Sequence, residues 1–582
     1  MLSRGRIIPM KNVDIAAVFE NIADLLELKG ENKFKIRAYG RAAEVIRNLP
    51  EEMDLMHEEG KDFKEVAGIG DAIAAKSMEL ITTGRLRFYE ELKVQFPDGI
   101  INLMDIPGIG PKTAYRVATE LGVGTVDQLE AAIRDGRLAS LERMGEKTAA
   151  NILHSIEVFR RKDRRIPLGE ALPVVEEVLA ALRTVPGVRN LTAAGSLRRF
   201  KETVGDIDLM GTADDPESVI RAFVALPQVR EVLSQGPTKA SVILPKGLQA
   251  DLRIVEHRDF GSLLQHFTGS KEHNVALRTR SQKQGLSLSE YGITDINTGS
   301  IAKFADEESF YRFLGLQLIP PELREDMGEI GLAGRNALPS LVEVRDIKGD
   351  FHAHSTGSDG IDSIEAMAAA AEALGYEYLA ITDHSSGRNI GTGKKMERVQ
   401  KQTAEINRLN GSSIGVYLLD GVEVDIRADG SLDLPDDVLA GLDIVVASVH
   451  SSFLQSREVM TRRIIGAIEN PNVDILAHPT CRKIGEREPV DVDLEAVFSA
   501  ALRYGKALEI NAIPDRLDLK DLHAYRAREL GVMLAIGTDA HAVSHLGFMK
   551  FGIGLARRAW CRPQDILNAR PLKEVLEYLR KR

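Results

Sequence analysis

The C-terminal part of the sequence, residues 346–582, repeats one pattern: a short apolar run that ends in a histidine or an acid, followed by an amphipathic stretch. The apolar runs include YEYLAITDH, LDIVVASVH, VDILAHP and VMLAIGTDAH. Repeated alternation of strand and helix predicts a parallel β-sheet, either open or closed into a barrel. In parallel barrels the carboxyl ends of the strands meet on one face, so side chains that are distant in sequence come together there.

Nine histidines and acids stand at or near the ends of these runs. They are His352, His354, Asp359, His384, Glu423, His450, His478, Asp539 and His541. A single histidine at a strand end is usually structural, but H-x-H, T-D-H and D-A-H on separate strands make coincidence improbable. Histidine and carboxylate together suit Mn²⁺, Zn²⁺ or iron better than Ca²⁺. Nine donors exceed the needs of one ion, so we predict two or three metals that generate hydroxide and hold a phosphate.

A second acidic pattern lies in the middle of the chain, in GDIDLMG at 205–211. Along a β-strand, residues i and i+2 share a face, so Asp206 and Asp208 point the same way and can hold divalent cations. A third acid, Asp251, follows in QADLRIV. Three such carboxylates can bridge two ions, one activating a hydroxyl and the other holding a leaving pyrophosphate. Taken alone, a D-x-D strand is more often a solvent-facing edge.

Residues 10–160 show helical periodicity interrupted by glycine turns. VAGIGDAIAAK and IPGIGPKTAYRV each place a Gly-x-Gly turn, at Gly68 and Gly70 and at Gly108 and Gly110, directly before a helix. The backbone N–H groups of such a turn can bind phosphate without side-chain charge. A chain with a net charge of −11 can therefore still bind DNA. The alternative is a plain joint between helices, where glycine only permits the turn. A third stretch, ERMGEKTAANIL, lacks the first glycine.

The order of these motifs resembles that of family X DNA polymerases. RRIP, GSLRR, GDIDLM, ADLRI and FTGSKEHNVALR follow two turns that are similar to helix–hairpin–helix motifs, which bind DNA backbone. GSLRR with the D-x-D pair also resembles the nucleotidyltransferase superfamily. The resemblance covers residues 10–320, and it implies that Asp206, Asp208 and Asp251 are catalytic and hold two Mg²⁺ or Mn²⁺ ions.

The same resemblance implies roles for further residues. Those that would contact the incoming nucleotide or the nascent base pair are Arg165, Gly195, Ser196, Arg199, Gly269, Asn274 and Arg278. Lys76 stands where lyase members of the family carry a Schiff-base lysine, although a solvated helix lysine is the alternative. This chain departs from the family pattern at two positions. His266 before Phe-Thr-Gly leaves sugar selectivity open, and Gln249 stands two residues before the third aspartate, where the family often has a basic residue.

Residues 346–582 resemble the PHP domain, named for polymerase and histidinol phosphatase, which forms a distorted barrel of about seven β/α units. All nine ligand positions of that pattern are filled here, which implies a metal-dependent phosphoesterase with Mn²⁺, Zn²⁺ or iron. Asp383, which precedes a donor histidine, is expected to orient a histidine. A family X polymerase followed by a PHP domain is the architecture of the bacterial members of the family.

The predicted architecture is therefore multidomain, with a helical helix–hairpin–helix region, an α+β nucleotidyltransferase palm and a C-terminal α/β PHP barrel. The predicted domains are a lyase-like helical domain at 1–94, a DNA-binding helical domain at 95–165, the palm at 166–265, a thumb-like domain at 266–320, a linker at 321–345 and the PHP domain at 346–582. The N-terminus has no apolar signal core, and no apolar stretch is long enough for a bilayer. We expect a monomer in the cytoplasm, associated with the nucleoid and not with a membrane.

The two resemblances together imply template-directed filling of short gaps in DNA repair, from dNTPs on gapped or primed double-stranded DNA. They also imply that the PHP domain acts as a 3′→5′ exonuclease, with abasic-site endonuclease activity as a further candidate. Three alternatives stay open. They are untemplated nucleotidyl transfer to RNA ends, a polymerase whose PHP domain hydrolyses small phosphate monoesters, and a DNA-binding scaffold with inactive centres. The paired hairpins disfavour the first alternative, and the complete ligand sets disfavour the last.

Overall fold

The structure, a computed structural model, describes residues 165–385 and 392–580 without a break, and residues 12–156 with short gaps. The gaps lie at 48, 50–52, 59–60, 67–68, 105, 107–108, 142–143, 147, 150–151 and 154–155. The chain divides into two compact units. The first contains residues 1–165, 271–288 and 293–301, and the second contains residues 166–270, 289–292 and 302–582.

The first unit is helical over most of its described residues. Its helices are Asn12–Leu28, Lys33–Arg47, Met53–Glu58, Asp71–Thr83, Arg87–Lys93, Ile100–Met104, Pro111–Leu121, Val126–Arg134 and Lys271–Gln282. The first helix buries Ile15, Phe19, Ile22 and Leu26, whose spacing of four, three and four residues places them on one face. That face joins the apolar core of this unit.

The palm, in the second unit, contains seven strands, five of which form one mixed sheet. Its strands are β1 Ile166–Pro167, β2 Val188–Ala193, β3 Thr203–Val204, β4 Ile207–Ala213, β5 Glu231–Gln235, β6 Lys239–Ile243 and β7 Gln249–Val255. The sheet order is β2-β4-β7-β6-β5; β4 and β7 are parallel and the other neighbours are antiparallel, while β1 pairs with β3 separately. Helices Leu168–Arg183, Gly195–Arg198, Pro216–Val224 and Phe260–Thr268 accompany it. In β7, Ala250, Leu252 and Ile254 are buried, so the period of two turns Asp251 to the other face.

The segment between palm and barrel is ordered and packed. Strands β8 Leu286–Ser289, β9 Gly292–Asp295 and β10 Ile301–Ala302 form a sheet in the order β10-β9-β8, and helices Glu307–Phe313 and Glu329–Ala333 follow. Arg324, in the predicted linker, is fully buried; its Nη1 donates to Glu307 Oε1 at 2.6 Å and its Nε to the backbone oxygen of Ile319 at 2.9 Å. A buried charge needs such partners, so this pair connects the predicted linker to the start of helix Glu307–Phe313.

The C-terminal region forms a nearly closed barrel of seven parallel strands. They are β11 Gly349–Asp350, β12 Tyr378–Ile381, β13 Tyr417–Asp425, β14 Ile444–Ser448, β15 Ile475–Leu476, β16 Ala507–Asn511 and β17 Leu534–Gly537, paired in chain order. A bridge between Ala353 and Ala540 joins the segments that follow the first and last strands. The barrel helices are Ile364–Ala373, Thr392–Asn410, Asp436–Leu439, Arg457–Glu469, Leu494–Tyr504, Asp521–Glu529, Met549–Arg558 and Leu572–Leu579. The predicted fold class, including a barrel rather than an open sheet, is confirmed.

Palm and barrel share one core within the second unit. A continuous cluster of buried apolar side chains contains palm residues such as Leu209 and barrel residues such as Ile510. Polar contacts add to this packing, since Arg482 of the barrel pairs with Glu202 of the palm at 2.8 Å. No helix among the described residues is long and apolar enough to cross a membrane.

Candidate active sites

The nine predicted donors of the barrel gather at the carboxyl ends of its strands. Among the described residues, these donors form three groups, and within each group the ligand atoms all lie within 4.8 Å of one another. They are His354, Asp359, His384 and His541; His352, His354 and Asp539; and His384, Glu423 and His450. His478, the ninth donor, has Nε2 at 3.0 Å from Glu423 Oε1. The strand-end pattern of the sequence therefore does converge on one place.

Glu423 lies at the centre of this cluster and is almost fully buried. Nitrogens of five histidines approach its carboxylate, at 2.7 Å for His384, 3.0 Å for His478, 3.2 Å for His450, 3.5 Å for His352 and 3.6 Å for His354. Burial favours the neutral acid, but the positive charge of the surrounding histidines outweighs it and holds the pKa of Glu423 well below its usual value. Glu423 is thus a carboxylate surrounded by imidazoles.

Although some of them lie within ion-pair distance of a neighbour, several buried polar atoms of the cluster form no hydrogen bond with any residue that the structure describes. They are Nε2 of His352, both ring nitrogens of His354, Nδ1 of His384, Oε2 of Glu423 and Nδ1 of His478. Each unpaired buried polar atom costs about 1–3 kcal/mol, so this many at one place require further partners. Metal ions would be such partners, and a set of imidazole nitrogens and carboxylate oxygens is the donor chemistry that transition metals accept. The residues present therefore fit a multinuclear metal centre.

Two acids that the sequence analysis missed hold the histidine rings in place. Glu509 Oε1 accepts a hydrogen bond from His352 Nδ1 at 2.7 Å, and its Oε2 accepts one from the backbone N–H of His478 at 2.7 Å. Asp425 Oδ1 accepts from His450 Nδ1 at 2.7 Å. A carboxylate on Nδ1 leaves the Nε2 lone pair free for a metal. Both acids lie in apolar runs of the barrel, but an acid within a strand does not by itself indicate a contact with a donor histidine.

Gly537, in β17, leaves the space in which Glu509 meets His352. A Cβ atom at this position would lie 2.1 Å from Glu509 Oε1 and 2.7 Å from His352 Cβ.

Asp383 differs from its prediction: it orients no histidine among the described residues, but accepts hydrogen bonds from the backbone N–H and hydroxyl of Ser355 and from the Ser358 hydroxyl. It therefore shapes the loop that carries Asp359, because a carboxylate can satisfy several nearby donors at once.

Two basic side chains line the same cleft as the donors. Arg516 and Lys483 stand beside Asp359, His450 and Asp539. The Arg516 guanidinium is mostly buried, with its Nε at 3.8 Å from Asp539 Oδ2. Cations next to clustered metal donors suit a substrate with phosphate groups.

The palm aspartates meet on neighbouring strands. Asp208 of β4 and Asp251 of β7 are direct partners in the parallel register, and Asp206 immediately precedes β4. Burial, followed by the negative charges of Asp206 and Asp251, raises the pKa of Asp208 to about 7. The Ser241 hydroxyl donates to Asp251 Oδ1, and Gln249 Nε2 donates to Oδ2 at 3.2 Å. This crowding of negative charge fits divalent cations, although the three aspartates are not a group as tight as those of the barrel.

The turn after β2 lies directly over these aspartates. Gly195 has a φ of +61°, and a Cβ there would approach Asp208 Oδ2 to 3.2 Å. Two contacts hold the guanidinium of Arg199: its Nε pairs with Glu325 Oε1 at 3.0 Å, and its Nη1 donates to the Thr268 backbone oxygen. Gly269, next to Thr268, is buried and also has a positive φ of +66°. Gly195, Ser196, Arg199 and Gly269 thus belong to the unit that holds the aspartates.

The remaining predicted site residues belong to the first unit. Gly70 and Gly110 cap the N-termini of helices Asp71–Thr83 and Pro111–Leu121, whereas Gly68 and Gly108 lie outside the described residues. Lys76 Nζ lies 5.1 Å from the centre of the Phe88 ring. Asn274 and Arg278 are one turn apart on helix Lys271–Gln282, and Arg165 is the last residue of the first segment of this unit.

A cleft in the first unit adds side-chain charge to one of these helix ends. Arg37 and Arg41 line it together with Gly70, Asp71 and the exposed ring of Phe34. Arginines beside a helix N-terminus are favourable for phosphate, since both attract negative charge. The sequence analysis considered only the turn itself and did not identify these arginines.

Sequence models of known families match four stretches of the chain. A helix-hairpin-helix domain matches residues 10–86, and a SAM-like helix-hairpin-helix tandem matches 100–157. The DNA polymerase beta thumb matches residues 263–325, and the PHP domain matches 350–512.

Similarity to a characterised class extends over nearly the whole chain. A protein of Bacillus subtilis (strain 168), DNA polymerase/3′-5′ exonuclease PolX, is 39% identical over 574 residues, which are 98% of this chain and 100% of the relative. A probable phosphatase of Thermoanaerobacter sp. (strain X514) is 32% identical over 247 residues, 40% of this chain and 94% of its own length. A probable phosphatase of Shewanella sediminis is 30% identical over 243 residues, with the same coverage of 40% and 94%.

Proposed function

Because this chain belongs to the PolX family of DNA polymerases and 3′-5′ exonucleases, we propose that it fills short gaps in DNA during repair and also trims 3′ ends. The observation that carries the proposal is the presence of two separate candidate metal centres, one in the palm and one in the barrel, within a chain related to PolX along 98% of its length. The substrates would be dNTPs and gapped or primed duplex DNA. We expect a monomer that acts in the cytoplasm, at the nucleoid.

In the palm, Asp206, Asp208 and Asp251 would hold two Mg²⁺ or Mn²⁺ ions. When bound, these ions activate the primer 3′-hydroxyl and neutralise the charge that develops on the triphosphate. Two positive ions would also keep Asp208 ionised near neutral pH, against the burial and repulsion that raise its pKa. Ser241 and Gln249 fix the orientation of Asp251 by occupying one oxygen each.

The turn around Gly195 would receive the triphosphate. Its missing side chain lets phosphate approach the backbone, and Ser196 and Arg199 supply hydrogen-bond donors. Gly269 would stand against the sugar. We further propose that Asn274 and Arg278 contact the nascent base pair and template, and that Arg165 assists with the nucleotide.

In the barrel, the nine clustered donors would hold two or three Mn²⁺, Zn²⁺ or iron ions. When bound, such ions provide a hydroxide nucleophile and withdraw charge from the scissile phosphate. Glu509 and Asp425 keep Nδ1 of two histidines protonated, so that Nε2 remains available. Arg516 and Lys483 would bind the phosphate of the terminal nucleotide, which hydrolysis then releases from the 3′ end.

The helical unit would hold the duplex by its backbone. Gly70 and Gly110, with Gly68 and Gly108 of the same turns, would present N–H groups to phosphates, and Arg37 would add charge. Lyase activity of Lys76 is a separate proposal. Borohydride reduction in the presence of DNA with a 5′-deoxyribose phosphate would trap a Schiff base on the wild type but not on Lys76→Ala; equal trapping on both would exclude this lysine.

Two substitutions test the division of chemistry between palm and barrel. Asp206→Ala should abolish extension on a gapped duplex and spare 3′→5′ degradation, whereas His352→Ala should do the reverse. Both activities are scored on the same labelled primer during Mg²⁺ and Mn²⁺ titrations. If either variant loses both activities while its thermal unfolding is unchanged, the division is wrong.

A second candidate function for the barrel is hydrolysis of small phosphate monoesters. It is favoured by the probable phosphatases that match 40% of this chain. Turnover of 3′-recessed DNA and of p-nitrophenyl phosphate by the Asp206→Ala variant separates the two functions. A catalytic efficiency that is higher on the monoester would replace the exonuclease assignment, and extension of RNA ends without a template would replace the polymerase assignment.

A further inference from the structure

The nucleotide turn of the palm is held from outside the palm. Arg558, at the end of the barrel helix Met549–Arg558, donates from Nη1 to the backbone oxygen of Arg199 at 2.7 Å. The same nitrogen donates to Glu325 Oε1 at 3.0 Å, and this oxygen also accepts from Arg199 Nε at 3.0 Å. One barrel side chain therefore contacts both the backbone of Arg199 and the carboxylate that binds its guanidinium.

Arg558 is itself firmly anchored in the barrel. Its side chain is only 5% exposed, and its Nε and Nη2 bind Asp521 Oδ2 at 2.8 and 2.7 Å. Glu325 has a third basic neighbour besides Arg199 and Arg558, because Lys201 Nζ lies 3.4 Å from its Oε2. A buried guanidinium that is held through two nitrogens by one carboxylate oxygen has little freedom, so it can fix the position of what it contacts.

A second contact joins the same helix to the same turn. Phe200 has a φ of +57°, a conformation that costs a residue other than glycine about 1–3 kcal/mol and persists only when neighbours enforce it. Its ring lies against Gly554, where a Cβ would come within 2.0 Å of Phe200 Cδ1, and its centroid is 6.3 Å from that of Phe551. The barrel helix thus provides the surface that enforces the conformation of Phe200.

We propose that helix Met549–Arg558 of the nuclease barrel positions Arg199 for the incoming nucleotide, which makes Arg558 and Gly554 positioning residues of the polymerase reaction. This inference rests on the proposed contact between Arg199 and the triphosphate. With Arg558 in place, the Glu325 carboxylate binds Arg558 as well as Arg199, and the hydrogen bond from Arg558 to the backbone oxygen of Arg199 holds the turn. Without Arg558, Glu325 attracts the Arg199 guanidinium more strongly and the turn is less constrained, so nucleotide binding weakens.

The test is single-nucleotide gap filling by the full chain, with the dNTP concentration varied. Arg558→Ala and Gly554→Ala should each raise KM for the dNTP about tenfold, which corresponds to about one lost charge-assisted hydrogen bond, while kcat changes less. Exonuclease activity should stay unchanged. Alanine is favoured over glycine within a helix, so a defect in Gly554→Ala has to come from the contact with Phe200.

The matched control is Arg557→Ala. Arg557 is the preceding residue of the same helix, and it binds Glu322 and the backbone oxygen of Val342 instead of the turn. Its KM should stay within about twofold of the wild type. An unchanged KM in Arg558→Ala and Gly554→Ala, an equal rise in Arg557→Ala, or a matching loss of exonuclease activity would each overturn the positioning role.

The proposed function can fail separately from this inference. If the wild type does not extend primers at all, the polymerase assignment is wrong. Titration of the wild type and the same variants with a fluorescent dNTP, in Ca²⁺ to prevent turnover, then decides the positioning role by itself. Equal affinities, or no binding to the wild type, would refute it.

Discussion

Glu509 offers a demanding test of the metal centre, because its two oxygens have two different tasks. Oε1 accepts from His352 Nδ1 at 2.7 Å, and Oε2 accepts from the backbone N–H of His478 at 2.7 Å. In Glu509→Gln the side chain has the same size, but one oxygen becomes an NH₂ group. If the NH₂ group turns towards the backbone N–H of His478, two donors face each other. If it turns towards His352, either Nδ1–H faces a donor or the ring moves this proton to Nε2, which removes the lone pair that a metal would use.

The size of the effect follows from that geometry. A buried donor without an acceptor costs about 1–3 kcal/mol, and loss of a carboxylate behind a ligand histidine typically lowers metal affinity or activity by about 10–100-fold. These two estimates agree, since each tenfold corresponds to about 1.4 kcal/mol. We therefore expect the Mn²⁺ concentration at half-maximal exonuclease activity to rise by about 10–100-fold.

The assay is Mn²⁺-dependent degradation of a 5′-labelled recessed primer, with gap filling by the same preparation as an internal check of folding. Glu495→Gln is the matched control, because Glu495 is an exposed barrel carboxylate that pairs with Arg526 at 2.8 Å, away from the cluster. A normal Mn²⁺ midpoint and normal rate in Glu509→Gln would refute the argument that this acid orients a metal ligand.

Three further predictions concern stability, metal and the nucleotide turn. Burial favours neutral Glu307, but Arg324 and Arg198 outweigh it and lower the pKa of Glu307 from 4.5 to about 2. The ionised Glu307 therefore stabilises the fold above pH 4.5, and this stabilisation is lost as the pH falls towards 2. Glu307→Gln should lower the free energy of unfolding in urea by about 3–5 kcal/mol at pH 7 and by less at pH 3. A difference between the two proteins that does not change with pH would contradict this. Removal of metal by a chelator should lower the melting temperature. Mn²⁺ at about 100 times its Kd should then raise the free energy of unfolding by about 2.7 kcal/mol in the wild type and by less in His352→Ala. An equal increase in both proteins would place the metal elsewhere. Gly195→Ala places a Cβ 3.2 Å from Asp208 Oδ2 at a φ of +61°. This variant should fill gaps more than about tenfold more slowly and degrade 3′ ends normally. Normal gap filling would show that the turn tolerates a side chain.

The barrel and its cluster were open to prediction because a parallel barrel converts a one-dimensional pattern into a single location. Any donor at a strand end reaches the same face, so no knowledge of distant contacts was needed to bring His352 near His541. The aspartates of the palm were predictable for a similar reason, since a strand period of two and a parallel register suffice to place Asp208 beside Asp251.

Other features depend on contacts that no local pattern encodes. Glu509 looks like any acid in a strand until its neighbour His352, 157 residues away, is known. The pairing of Arg199 with Glu325 spans 126 residues, and the contact of Arg558 with Arg199 spans 359. Asp383 was wrongly expected to orient a histidine because its position in T-D-H suggested it, whereas the loop at Ser355 provides closer donors.

The crowding around Gly537 has a consequence for comparing barrels of this kind. A Cβ at this position cannot coexist with Glu509 in contact with His352, since it would lie 2.1 Å from the carboxylate oxygen. Glycine is therefore required only as long as the carboxylate keeps its task. In a relative with the same barrel, alanine or a larger residue at this position would therefore show that the contact between this carboxylate and this histidine has been lost. A single position of the sequence would then separate barrels in which a carboxylate orients the histidine from barrels in which it does not.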